Sequence, residues 1–282
     1  MTRTLHAVRV GIDRGITGFK HLLATPSELL SQFIWNGIPL AILFLNRDTV
    51  VEGTSISFAT VALPGFLGLI VAASAYGPAY YLAADREDGT LLRAKAVPRG
   101  IVGYVTGVLT QASLETLFGM LILLIPGVIL FGASADGLAG WLMFVVIVVL
   151  GLAASLPTGI VIGSVVKSPR VIGGLGLLVI GGMAAISGIF IPIQELPTWL
   201  GWIAQALPTY WIGQGFRFVF LPEAAAALEV GGTWRLPLMV VILSAWAIGG
   251  MLIAPVVLRR MARRASGASV EEARQQALQR MM

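Results

Sequence analysis

Six long apolar runs, separated by short charged segments, restrict the folds open to this chain. They cover approximately residues 29–45, 57–83, 101–131, 141–166, 171–191 and 236–258. A helix crosses a hydrocarbon core with about 20 apolar residues, whereas a barrel strand needs about ten with strict alternation. The runs have the helical length and lack the alternation. They therefore predict an all-α integral membrane protein with six transmembrane helices.

The composition supports this reading and excludes several classes of function. Only 12% of the 282 residues are charged, about half the share of a typical soluble domain, and the mean hydropathy is +0.88. The absence of cysteine excludes disulfides, thiolate metal sites and thiol nucleophiles. The net charge of +5 does not indicate a nucleic-acid partner, because the basic residues flank the apolar runs.

The distribution of basic residues predicts the orientation. If both termini are cytoplasmic, 16 of the 19 lysines and arginines lie on the inner side, and only Arg47, Arg217 and Arg235 lie outside. The positive-inside rule then favours a multi-pass protein of the cytoplasmic (inner) membrane with both termini cytoplasmic. Five tryptophans fall where this topology places the outer interface: Trp141, Trp199, Trp202, Trp211 and Trp234.

We interpret the whole chain, 1–282, as a single transmembrane domain with two distinct terminal segments. Residues 1–25 lack the unbroken apolar core of a cleaved signal and are expected to remain in the mature protein. They predict an amphipathic helix on the inner leaflet, with an ordinary polar leader as the alternative. Its apolar positions recur at helical spacing: Leu5, Val8, Ile12, Ile16, Phe19 and Leu23. Residues 259–282 form a cytoplasmic tail without recognisable chemistry.

Two segments inside the six-span core, 29–258, also stand out. Residues 85–98 form a short charged loop, in which one or two helical turns could follow Asp85 as N-cap. Residues 187–217 are apolar but are interrupted by three prolines, and the run 199–207 is too short to cross a membrane. We expect this segment to dip into the outer leaflet and return, which requires protein to cover its backbone.

The sequence offers no catalytic residues and no metal site. ATP hydrolysis needs a glycine-rich loop ending in Gly-Lys-Ser/Thr, and none of Lys20, Lys95 and Lys167 follows a glycine. The two histidines, His6 and His21, both precede the first span. We therefore expect no catalysis and no bound cofactor in this chain.

Glu115 is the one ionisable residue near the middle of a span, where Gln111 lies one helical turn before it. A charge at such a depth costs about 2.5 to 3.5 kcal/mol on insertion scales and is a candidate for function. Glu115 and Gln111 either belong to a translocation path or serve packing alone. Small residues in the fifth run, such as Gly174 and Gly182, permit close helix approach within the chain or between subunits.

Two motifs resemble those of type-2 ABC transporter permeases. The loop DREDGTLLRAKAVP is similar to the family's cytoplasmic loop, and SGIFIPIQELPTWLGWIAQALPTYWIGQGFR is similar to its later signature. The first match falls on Arg86, Glu87, Gly89, Thr90, Leu91, Arg93 and Pro98. The second falls on Ser187, Gly188, Pro192, Pro197, Leu207, Pro208 and Arg217. The likeness is nearest to the drug and antibiotic-resistance branch, such as daunorubicin-type exporter permeases, although Asp88 is an acidic residue beyond the usual pattern.

The resemblance implies a complex of two permease subunits, identical or homologous, with two separate ATPase subunits that hold ATP and Mg²⁺. Residues 85–98 would be the coupling helix and the N-terminal helix an interface helix. The segment 187–217 would be an outer gate. The cargo would be a small amphipathic molecule such as a drug, antibiotic or lipid, moved outward by alternating access in contact with membrane lipid.

Two other functions remain open at this point. A proton-coupled secondary transporter would use Glu115 as its protonatable group, but it predicts further mid-membrane polar groups and two related halves. A membrane scaffold explains the spans but not the charged loop.

Overall fold

The computed structural model describes residues 2–50, 56–166, 168–190 and 193–264. These residues form eleven α-helices, with 3-10 turns at Ile193–Glu195, Glu223–Leu228 and Val230–Gly232. The helices are α1 (Thr2–Ala24), α2 (Pro26–Leu45), α3 (Phe58–Ala73), α4 (Tyr76–Glu87), α5 (Thr90–Lys95), α6 (Gly100–Phe131), α7 (Gly137–Val165), α8 (Pro169–Ile186), α9 (Thr198–Ala206), α10 (Pro208–Phe220) and α11 (Leu236–Arg264).

The prediction of six membrane-spanning helices is confirmed for the described part of the chain. The spans are α2, α3 with α4, α6, α7, α8 and α11. The second span is divided at Ser74 and Ala75, between α3 and α4. The fifth ends at Ile186, earlier than the apolar run predicted, because Gly188 takes φ +79° and the helix cannot continue.

The core of the bundle lies around α7, which packs against α4, α10 and α11. The main buried cluster combines side chains from α3, α7, α10 and α11, including Leu63, Ile147, Ile212 and Leu243. The helices α2, α8 and α11 are largely exposed and apolar, so they form the periphery of the described bundle.

A second cluster closes one end of the bundle, which we call the α5 end. It contains Leu82, Leu91, Tyr104, Ile160 and Leu258, contributed by α4, α5, α6, α7 and α11. The opposite end, which we call the α10 end, contains α9, α10 and the 3-10 turns that precede α11. The topology predicted from basic residues would place the α5 end in the cytoplasm.

The predicted N-terminal helix is present as α1, and it packs along α6. Three glycines form the contact: Gly11 lies on Gly103, Gly15 on Gly107 and Gly18 on the side chain of Gln111. Residue numbers rise together along the two helices, so α1 runs parallel to the start of α6.

The length of α6 leaves room for the first part of this contact, at Gly11 and Gly103, beyond the hydrocarbon. Its 32 residues extend about 48 Å, against about 30 Å of hydrocarbon. The inner-leaflet position of α1 stays a prediction. Because α1 packs along α6, the start of α6 must lie beside α1 in that position. The apolar stripe that we predicted to face lipid remains partly exposed, notably at Leu5 and Ile12.

The segment 187–217 contains two helices, α9 and α10, that are too short to span a membrane. Helix α10 is buried along almost its whole length against α3, α7 and α11, so protein covers its backbone as a re-entrant segment requires. Its depth in the outer leaflet stays a prediction. Of the predicted aromatic anchors, Trp199 and Trp202 are exposed, but Trp211 and Trp234 are buried and bonded inside the protein.

Candidate functional sites

The charged loop begins with a tight turn between α4 and α5. We predicted one or two helical turns after Asp85 as N-cap. The turns are present as α5, but the N-cap is wrong, because α4 continues through Asp85 to Glu87. Asp88 serves the start of α5 instead, since its Oδ1 accepts a hydrogen bond from the Thr90 backbone N–H at 2.7 Å. Gly89 has φ +79°, a left-handed conformation that favours glycine. The turn therefore depends on Asp88 and Gly89 together.

Leu91 attaches α5 to the spans. Its side chain is 2% exposed and belongs to the cluster at the α5 end, beside Leu82, Tyr104 and Ile160. Because close-packed interiors transmit strain, a displacement of α5 is transmitted to the spans that share this cluster. The sequence motif includes Leu91 but does not reveal that it is buried.

Arg86 points into the bundle. Its Nη2 donates hydrogen bonds to the backbone oxygens of Gly163 and Ser164, each at 3.0 Å, and contacts the sulfur of Met261. Both oxygens lie in the last turn of α7, where a cationic side chain satisfies free carbonyl groups and is favoured by the helix dipole. Arg86 therefore joins α4 to α7 and α11.

The remaining charges of the loop are at the surface. Glu87, Asp88 and Arg93 are exposed, as are Ala96 and Val97 after the helix. We call these five residues the α5 face. Arg93 donates a hydrogen bond to the Thr90 hydroxyl at 2.7 Å, so its guanidinium is held near the start of the helix. The α5 face presents charges of both signs outside the six spans.

Arg14 links α1 to this end of the bundle. Its Nη2 lies 3.9 Å from the Asp85 carboxylate, and its guanidinium lies 5.3 Å from the centre of the Tyr104 ring. The ion pair is partly exposed, so it contributes at most about 1 kcal/mol, and the cation–π contact adds to it. Helices α1, α4 and α6 thus meet at one basic side chain.

The mid-span carboxylate has partners on two helices. The Tyr81 hydroxyl from α4 lies 2.7 Å from both oxygens of Glu115, and Gln111 donates to Oε1 at 2.9 Å. The sequence predicted Glu115 and Gln111 and missed Tyr81, because a partner 34 positions away leaves no local pattern. Gly18 lies directly on the Gln111 amide, so α1 contacts this group as well.

A buried ion pair lies at the α10 end. Arg217 donates from Nε to Glu229 Oε1 at 2.5 Å, and both side chains are under 5% exposed. Tyr210 donates to the other oxygen of Glu229 at 2.9 Å. Burial and the neighbouring carboxylate raise the pKa of Tyr210 to about 12, so its hydroxyl keeps its proton at neutral pH. The sequence predicted Arg217 and missed its partner Glu229.

Other residues of the predicted gate shape the same end. The Ser187 hydroxyl donates to the Ala184 backbone oxygen, and Gly188 lies against the Arg217 guanidinium. Pro197 precedes α9, and Pro208 is the first residue of α10, a position that lacks a helical N–H partner in any case. Pro192 lies outside the described residues.

The fold and these ends define a multi-pass membrane protein with a charged surface helix at one end. A sequence profile described as ABC-2 type transporter matches residues 22–221, more than two thirds of the chain. The chain therefore belongs to the ABC-2 type transporter family. No curated protein matches the sequence. This membership supports a permease of an ABC transporter and does not favour the proton-coupled carrier that we considered.

Proposed function

We propose that this chain is the membrane subunit of an ATP-driven exporter whose ATPase is a separate polypeptide. Two permease subunits, identical or homologous, form the path between them. ATP and Mg²⁺ are held by the ATPase partner, and the cargo is a hydrophobic or amphipathic molecule such as a drug, antibiotic or lipid. The likeness to drug and antibiotic-resistance permeases supports the cargo class.

The observation that carries this proposal is the geometry of α5. A six-residue helix lies outside the spans, with charges on its outer surface and Leu91 inserted between the ends of four other helices. Glu87 and Asp88 can accept charge-assisted hydrogen bonds from basic groups of a soluble partner, and Arg93 can donate them. A partner that moves the α5 face moves the cluster at the α5 end with it.

The remaining predicted residues take roles along the path. Glu115 and Gln111 offer polar groups between α4 and α6 at mid-span, where a cargo with a polar head needs hydrogen-bond partners. Ser187, Gly188, Pro192, Pro197, Pro208 and Arg217 belong to the outer gate. Arg86 has a positioning role, because its hydrogen bonds are made to α7.

Co-purification tests the proposal. The tagged chain is extracted in mild detergent, and the soluble protein bound to it is identified and assayed for ATP hydrolysis. We expect an ATPase subunit that hydrolyses ATP faster in the presence of the permease. A preparation that transports cargo in sealed vesicles without any ATPase, driven by a proton gradient, would contradict it.

A further inference from the structure

A cavity lies beside the buried arginine at the α10 end. It has a volume of about 340 Å³ and is bounded by the start of α3, the turn after α8 and the 3-10 turn after α10. Much of its wall is apolar, contributed by Phe58, Val61, Ile189, Phe190 and Leu221. Recesses that combine an apolar wall with a few polar groups are the usual form of a small-molecule site.

The polar part of the wall carries an unused hydrogen-bond donor. Arg217 lines the cavity, its side chain is 4% exposed, and its Nη1 has no hydrogen-bond partner. Arg235 bonds to Tyr210, which in turn bonds to Glu229, and the Nε of Arg235 is also without a partner. This network contains two guanidinium groups and one carboxylate. Arg235 is half-buried and does not line the cavity, so the unused donor of the cavity wall is Nη1 of the buried Arg217.

The two carboxylates of the described wall, Glu229 and Glu195, are respectively engaged and exposed at the rim. Both oxygens of Glu229 are used, one by Arg217 and one by Tyr210. The amide nitrogen of Gln194 donates to backbone oxygens of Ala227 and Glu229. Glu195 is exposed at the rim. Among the described residues Arg217 Nη1 has no acceptor, and a molecule that enters the cavity can supply one.

We propose that this cavity binds the head group of an amphiphile that carries a phosphate or a carboxylate. Such a group accepts strong, charge-assisted hydrogen bonds from a guanidinium, whose planar shape suits two oxygens at once. The volume is near the lower end for ligand sites, so the head enters and the apolar tail leaves across the rim. Val50 and Phe190 line that path and are exposed. As a statement about cargo, this inference rests on the proposed function.

The test uses the full chain in neutral maltoside detergent and dodecyl phosphate as the probe. Ala227 lines the cavity and is itself exposed, so Ala227→Phe fills the space without touching the ion pair. Ala224 is exposed on the same 3-10 turn and does not line the cavity, which makes Ala224→Phe the matched control. We expect calorimetric titration to show about tenfold weaker binding in Ala227→Phe, the loss of one charged hydrogen bond, and unchanged binding in the control.

A second variant tests the guanidinium donor without filling the cavity. The double change Arg217→Gln with Glu229→Gln removes the donor without leaving a buried carboxylate unpaired. It should weaken dodecyl phosphate binding roughly ten- to hundredfold, the range for hydrogen bonds to charged groups. Thermal unfolding of the same preparations reports whether each variant is folded.

Three results would overturn the inference. They are equal binding of dodecyl phosphate and dodecyl trimethylammonium, unchanged binding in both cavity variants, and inorganic phosphate binding as tightly as dodecyl phosphate. None of these measurements involves ATP. Failure here would leave the ATP-driven function standing, and loss of ATPase coupling would leave this binding site standing.

Discussion

Arg217 and Glu229 bring opposite charges together in a buried part of the α10 end, with Tyr210 on the second carboxylate oxygen. Removal of one partner leaves the other charge buried and uncompensated, whereas removal of both leaves neither. Single and double variants of this ion pair therefore measure how much it contributes to the stability of the α10 end.

We expect Glu229→Ala to destabilise the protein by about 3 to 5 kcal/mol, the cost of breaking a buried ion pair. The double change Arg217→Met with Glu229→Ala should recover a large part of that loss. Thermal unfolding of purified protein measures both. Additive losses in the double variant would show that the two charges do not depend on each other.

Glu115 is held by Tyr81 and Gln111, so its carboxylate is oriented by two helices. If it contacts cargo, Glu115→Gln should lower transport several-fold while expression and assembly stay normal, because the amide keeps the size and loses an acceptor oxygen. Transport into sealed vesicles measures this. Ser113→Ala on the same helix is the control, since the Ser113 hydroxyl donates to the Leu109 backbone oxygen of its own helix. Equal transport by both variants would contradict a role in cargo contact and would indicate that Glu115 serves helix packing alone.

At the scale of elements, apolar runs identify membrane helices well but do not mark where those helices end. The second run predicted a span ending at residue 83, yet α4 continues to Glu87. The end of an apolar run marks where the helix leaves the lipid, whereas the helix itself ends only where its backbone hydrogen bonds stop. Our N-cap was misplaced for this reason: Gly89 holds the N-cap position of α5, and the Asp88 carboxylate accepts the Thr90 N–H.

Contacts between elements could not be predicted from one sequence. In α1 we identified the apolar stripe and overlooked the glycines one position away, which form the contact with α6. Tyr81 and Glu115, like Arg217 and Glu229, are partners that only the packing of helices brings together. The motifs placed Arg86 and Leu91 in the loop, whereas the fold turns both toward the bundle.

The contact between α1 and α6 predicts a sharp effect of side-chain size. A Cβ on Gly15 would lie 2.6 Å from the Gly107 backbone oxygen, so Gly15→Leu cannot fit without moving α1. We expect a loss of about 1 to 3 kcal/mol, typical of overpacking, measured by thermal unfolding. Thr17→Leu, at an exposed position of the same helix, should have little effect. Similar losses of stability in both variants would mean that the glycines do not determine the packing of α1 against α6.

For the whole molecule, the distribution of basic residues predicts which end faces the cytoplasm. The chain has no cysteine, so single cysteines can be introduced for labelling without a background. Cysteines at Asp136 and Gly231 should react with an impermeant reagent from outside intact cells, and one at Asp88 should not. The opposite pattern would reverse the orientation and place the α5 face outside.

The central claim is that a separate ATPase moves the spans through the α5 face. Bulk at Gly89, as in Gly89→Trp, would distort the turn itself, because this residue is buried at φ +79°. Glu87→Lys is the cleaner change, since Glu87 is exposed at the end of α4. Asp48→Lys is the matched control, a charge reversal at an exposed position on the loop after α2.

The decisive measurement is ATP hydrolysis and transport by the permease with its ATPase in proteoliposomes, compared between these two variants. The account predicts that Glu87→Lys abolishes cargo-stimulated ATP hydrolysis and weakens co-purification of the ATPase, while membrane insertion is normal and Asp48→Lys behaves as the unmodified protein. Full transport and full ATPase stimulation in Glu87→Lys would contradict the claim that the α5 face couples this permease to ATP.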